Sequence, residues 1–178
     1  CVPVLESYVR MSQEIIASKD VFYKGYRTRL AELAEEAAAT PASYPLLLTT
    51  HLTQDSVVQS QQFYASLAEE IARMDEEIAT SRSLGLNVEA SEVIREEAAQ
   101  VYAAQDYDDK QVQDLLRRLK KAIHDQAYSY SAGDGTENNP YRIVRPTQLD
   151  HMRNVLKKAT MVYFCLDKDI DMTGFEWQ

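Results

Sequence analysis

From residue 85 to residue 121 the chain reads GLNVEASEVIREEAAQVYAAQDYDDKQVQDLLRRLKK, two helix-length segments joined by a short polar turn. Over residues 88–104, Ile94, Ala98, Val101 and Tyr102 recur at helical spacing and share one face. Over 109–126, Val112, Leu115, Leu116, Leu119 and Ile123 do the same. The intervening Gln105-Asp106-Tyr107-Asp108 is too polar to extend either face. Asp106, Asp108 and Asp109 offer N-cap oxygens and negative charge where the second helix has its positive dipole end. The stretch predicts an antiparallel helical hairpin. Only five Gly and five Pro occur in 178 residues, which favours long helices over a strand-and-turn architecture.

The flanking sequence extends the pattern. Pro3 suits a first helical turn, and Leu5, Tyr8, Ile15, Phe22, Tyr26, Leu30, Leu33 and Ala37 keep helical spacing with a lapse at Ser18-Lys19-Asp20. Two helices are expected there, over 4–17 and 21–38. Thr40-Pro41 ends the second, and Pro45 opens a short third that stops near Thr53-Gln54-Asp55. A long helix over 56–81 follows, with Val57, Phe63, Tyr64, Leu67, Ile71, Met74 and Ile78 inward and a solvated acidic face outward. Leu84-Gly85 reads as its stop. Residues 128–145 carry Gly133, Gly135 and Pro140 and no apolar stripe, as in a surface loop or contact arm. A last helix is expected over 146–168, with Leu149, Met152, Val155, Leu156, Ala159, Val162, Tyr163 and Leu166 inward. The fold expected is all-α and a single domain, 1–178. It consists of stacked antiparallel hairpins at 4–38, 44–81 and 88–127, as a short α-solenoid or bundle, with a closing C-terminal helix.

A formal charge of −9 argues against a general nucleic-acid or anionic-membrane surface. The uncharged run TPASYPLLLTTHLTQ is too short and polar to span a bilayer. The two cysteines make no framework, and Cys165, within MVYFCL, is expected to be a buried inert thiol. A chain beginning at Cys1 fits a fragment, the mature end left by an organelle transit peptide, or a lipidated lipoprotein terminus; a helix starting almost at once places the lipoprotein second.

No catalytic constellation is expected. His51, His124 and His151 lie far apart, and no HExxH, GxSxG, P-loop or GxGxxG occurs. Asp167, Asp169 and Asp171 mimic the start of a calcium loop, but Met172 and Gln178 stand where Gly and Glu are needed, so an acidic tail is the reading. Gly133-Asp134-Gly135 reads as a turn. Neither metal nor cofactor is expected. Arg117, Arg118, Lys120 and Lys121 fit either charge complementarity at a helix C-terminus, the favoured reading, or a phosphate or partner contact. Lys157-Lys158 has the same two readings.

The polar turns recur, 35 residues from Asp20 to Asp55 and 51 from Asp55 to Asp106. The order Gly-Leu, helix, Gln-Asp, helix ending in basic residues resembles a pentatricopeptide repeat, with 4–38 and 44–81 as degenerate copies. Such proteins usually read single-stranded RNA. The matching positions, Val9, Tyr44 and Arg95, are none of them small and polar, so the fold is implied and the RNA code is not. In length, acidic balance and hairpin order the chain is similar to the pentatricopeptide-like extra F1 subunit of euglenozoan mitochondrial ATP synthases. That resemblance implies a non-catalytic accessory subunit in the mitochondrial matrix that binds a larger protein complex, the F1 head. Residues 128–145, with Tyr141 and Arg142, and the tail with Phe175 and Trp177 break the self-packing pattern and are expected to contact that partner. Arg117, Arg118, Lys120 and Lys121 are the basic contacts. The alternatives are an RNA-binding helical-repeat protein, using Arg95 and the basic group, and a processed helical lipoprotein of the bacterial envelope that binds a protein partner.

Overall fold

Apolar spacing of three and four becomes helix in six places in the computed structural model, which describes residues 2–158 and 161–177. The order is α1 (Val2–Ala17), α2 (Lys24–Ala39), α3 (Tyr44–Ser83), α4 (Glu89–Ala104), α5 (Asp109–Tyr128), β1 (Tyr141–Ile143), α6 (Pro146–Leu156) and β2 (Phe164–Leu166). The fold is all-α, with one pair of three-residue strands among the described residues. The chain forms two compact units. One comprises the chain up to Ile71 with Glu96–Arg118, the other Ala72–Arg95 with the chain from Leu119 onward. Helices α3, α4 and α5 contribute to both.

In the first unit α1 packs on α2. Leu5, Leu33 and Leu46 form one buried cluster, and Phe22, Leu30 and Val57 a second. The residues between α1 and α2 are held by Arg27. Its guanidinium donates to the carbonyls of Ile15 (2.8 Å), Ile16 (2.9 Å) and Asp20 (2.7 Å) and lies 4.2 Å over the Phe22 ring. A cation here suits the carbonyls and negative dipole end at the C-terminus of α1. Tyr64 is fully buried and donates to the Tyr107 carbonyl at 2.9 Å; Tyr26 donates to Asp109 Oδ2 at 2.9 Å.

The α4–α5 hairpin forms as its sequence predicts. Asp108 Oδ1 accepts the Gln111 N–H and Gln111 Oε1 accepts the Asp108 N–H, both at 2.9 Å, a reciprocal capping box at the start of α5. Gly85 (φ +77°) ends α3, with the Gly85 N–H on the Arg82 carbonyl and the Leu86 N–H on the Ser81 carbonyl, the pairing of a left-handed glycine cap.

Three expectations are corrected. The break near Thr53-Gln54-Asp55 is absent, so 44–81 is not a hairpin but part of one 40-residue helix. The polar residues that read as a stop are absorbed instead, and so are their neighbours. Thr50, Thr53 and Ser56 donate back to the carbonyls four residues earlier, and Gln54 turns inward to Tyr8 O (2.8 Å) and Ser12 Oγ (2.9 Å) on α1. The closing helix ends at Leu156 rather than near 168, and Phe164–Leu166 pairs in parallel with Tyr141–Ile143, inside the expected loop. The run VYFC is β-branched and aromatic, and α6 supplies the crossover that parallel strands require. Leu156, Tyr163 and Leu166 are accordingly exposed, not core. Cys165 is exposed, not buried. Cys1, Ala159 and Gln178 lie outside the described residues.

The second unit buries Met74, Ile78, Leu86, Val88, Leu119, Ile143 and Val144. Gln148, fully buried, accepts the Val144 N–H at 2.7 Å and donates to the Ser129 carbonyl, tying the start of α6 to β1 and to the end of α5. Arg145 forms a fork on Glu77 (2.6 and 3.1 Å), with both side chains only 12% exposed.

Candidate functional site

Arg117, Arg118, Lys120 and Lys121 of α5 do not form a free cationic patch. Arg118 makes a two-pronged pair with Glu97 (2.8 and 2.7 Å), which holds the Glu97 carboxyl below the usual range and raises the guanidinium. Arg117 bonds Asp114 at 2.7 Å, Lys121 contacts Asp125, and Lys120 also has a partner. Arg117 and Arg118 belong to the first unit, Lys120 and Lys121 to the second. Arg95 is likewise forked onto Asp75 (2.7 and 2.9 Å), whose carboxyl its hydrogen bonds hold low. Of the other two positions that match the RNA-reading site, Val9 lines a hollow of about 430 Å³ with Leu5, Ala34 and Ala37, and Tyr44 is exposed.

Tyr141 and Arg142 both lie on β1. The Tyr141 ring stacks on Tyr130 (centroids 4.6 Å apart) and meets Phe164 of β2 at 5.8 Å. Burial, and then the neighbouring Tyr141, push the Tyr130 phenol up to about 12. Arg142 bonds Asp167 Oδ1 at 2.6 Å. The other edge of β1 is covered, because Arg142 donates to the Ala132 carbonyl and Ser131 donates to the Arg142 carbonyl. β2 has β1 on one side and, among the described residues, no strand on the other. Around that open edge Met161 (75% exposed), Tyr163 and Leu166 face solvent. In the tail the two aromatics divide their roles. Phe175 is half-buried in a hollow with Thr80, Leu84, Val144 and Pro146, while Trp177 packs edge-on against it at 5.6 Å and is 63% exposed.

A second apolar face belongs to the first unit and was missed by sequence reasoning. On α3, Tyr44 (67% exposed), Leu48, Leu52 and Val58 (55% each for the last two) point to solvent, as do Val4 and Met11 on α1. The signal was present in composition: from residue 44 to residue 68, Asp55 is the sole Asp, Glu, Lys or Arg.

Among the described residues no group of three His, Cys, Asp or Glu side chains could hold a metal. Asp167 is engaged by Arg142. Asp134 accepts the Thr136 N–H at 3.0 Å, closing the turn that Gly133 and Gly135 permit, and its hydrogen bonds to Thr136 hold its carboxyl low. His51 stands 3.4 Å from Asp55, His124 stacks on Tyr128, and His151 lies between the Tyr128 and Tyr130 rings. Among the described residues no helix is long and apolar enough to cross a membrane. No protein-family model, no curated protein and no solved structure matches the chain.

Proposed function

We propose that the chain is a non-catalytic accessory subunit that docks on a larger protein assembly through the C-terminal face of its second unit. The observation that carries this reading is the open edge of β2 flanked by exposed Met161, Tyr163 and Leu166, in the same unit as the exposed Trp177. An unpaired strand edge takes an added strand from a partner, and apolar side chains beside it supply contact area. Large aromatics such as Trp are the commonest anchors of protein interfaces. The mitochondrial F1 head is the first host to test, on the resemblance in length and acidic balance.

RNA binding receives less support, because Arg95, Arg117, Arg118 and Lys121 are each engaged by a carboxylate of the chain itself. The test is the native size of the endogenous protein in a mild extract, with and without ribonuclease. A large complex that survives ribonuclease, with host subunits identified by mass spectrometry, is the expected result. Collapse on ribonuclease would replace this reading with the RNA-binding one, and a free species of 20.3 kDa would overturn it.

A further inference from the structure

Tyr44, Leu48, His51, Asp55, Val58 and Gln62 follow one another along α3 at spacings of four, three, four, three and four. That is the rhythm of a two-helix seam. All six are exposed, with Leu52 alongside. The inward face of the same stretch is already occupied by buried Leu46, Thr50, Val57 and Tyr64. The helix therefore carries two seams, one used within the unit and one facing solvent. A solvated helix face normally carries charge, and the depletion of charge around apolar residues marks the centre of an interface. Here the charge is displaced down the helix, to Glu69, Glu70, Arg73, Asp75, Glu76 and Glu77.

The pattern is complementary to itself in one direction only. Laid against a second copy running the opposite way, with the two-fold axis between His51 and Asp55, Tyr44 meets Gln62, Leu48 meets Val58 and His51 meets Asp55. Each contact recurs in reverse, as a two-fold interface requires. A parallel pairing would set Asp55 against Asp55. A chain of net charge −9 must also self-associate through a face nearly free of acidic groups, and this stretch is such a face. We infer that the chain forms an antiparallel homodimer through this face of α3, with two reciprocal His51–Asp55 contacts at its centre. Within one chain His51 Nε2 already lies 3.4 Å from Asp55 Oδ2, and Tyr8 of α1 packs edge-on against the His51 ring at 5.6 Å. His51 is thereby held at the seam, and exposed Val4 and Met11 stand four before and three after Tyr8 on α1.

The test is sedimentation of the full chain over a dilution series, for the wild type, H51D and D55H. The wild type dimerises as concentration rises. H51D sets carboxylate against carboxylate at the centre, D55H sets imidazole against imidazole with no carboxylate to pair, and each raises the dissociation constant about tenfold or more. An equimolar mixture of the two regains wild-type association, because each supplies the partner side chain the other lacks. Circular dichroism checks that each variant stays helical; where one does not, L48K and V58E pose the same question one layer out. A wild type that is monomeric throughout the series, or a dimer indifferent to these changes, overturns the inference. A mixture that associates more tightly than the wild type indicates parallel pairing and also overturns it.

Discussion

Arg145 and Glu77 are the ion pair whose loss should cost most, because each is 12% exposed and the fork satisfies both. Removing one partner leaves the other buried and unpaired, so Glu77→Ala should destabilise the protein by about 3 kcal/mol in urea unfolding. Arg117→Ala removes a pair exposed on both sides, with side chains 71% and 55% accessible, and should cost less than about 0.5 kcal/mol. Equal effects would contradict the burial on which the contrast rests. The tyrosines supply a pH signature. Burial pushes Tyr26, Tyr64 and Tyr130 up to about 12, and Asp109 beside Tyr26 adds to its shift. The folded state therefore favours the neutral phenols. Their contribution to stability is complete below about 10, the unfolded value, and is lost as pH rises from there through about 12. In a spectrophotometric titration, three of the eleven tyrosines should ionise late and together with unfolding. A single transition near 10 with the helices intact would refute this.

Helix α3 shows how an element can be misread one residue at a time. Thr53 reads as part of a stop, yet its hydroxyl, like those of Thr49, Thr50 and Ser56, bonds the carbonyl four residues back and the helix runs on. Thr53→Pro should therefore cost about 3 kcal/mol or more, seen as lost helical ellipticity and a lower urea midpoint. At the turn expected from sequence it would be tolerated. Legibility follows locality. The α4–α5 hairpin was readable because Asp108 and Gln111, three residues apart, close its cap, and Gly85 was readable because a left-handed stop favours glycine. The β1–β2 pair was not, because three residues at 141 and three at 164 carry little signal until α6 brings them together. The candidate site divides in the same way. Tyr141, Arg142, Phe175 and Trp177 could be singled out because they break the pattern, but the split between a half-buried Phe175 and an exposed Trp177 depends on the hollow that Val144 and Pro146 line. The outer seam of α3 was hidden because apolar residues occur on both faces of its first half, so no single stripe stands out.

At the scale of the whole molecule, the docking face and the self-pairing face belong to different units and should fail independently. Trp177 is the sharper probe of docking, because its side chain is 63% exposed and little of it is committed to the fold. Trp177→Ala should leave the unfolding free energy within about 0.5 kcal/mol of the wild type, the usual range for a surface change, while lowering recovery of the chain in its host complex about tenfold or more. Phe175→Ala should lower both, because that ring helps to fill the hollow beside Pro146. Neither change touches Tyr44, Leu48, His51, Asp55 or Val58, so the sedimentation of the purified chain should be unaltered by Trp177→Ala. The converse holds for H51D, which should weaken self-association and leave the tail and the β2 edge intact. If Trp177→Ala enters the host complex as well as the wild type, the C-terminal face is not the docking surface. If H51D is lost from the complex as severely as Trp177→Ala, the host binds the dimer rather than the single chain.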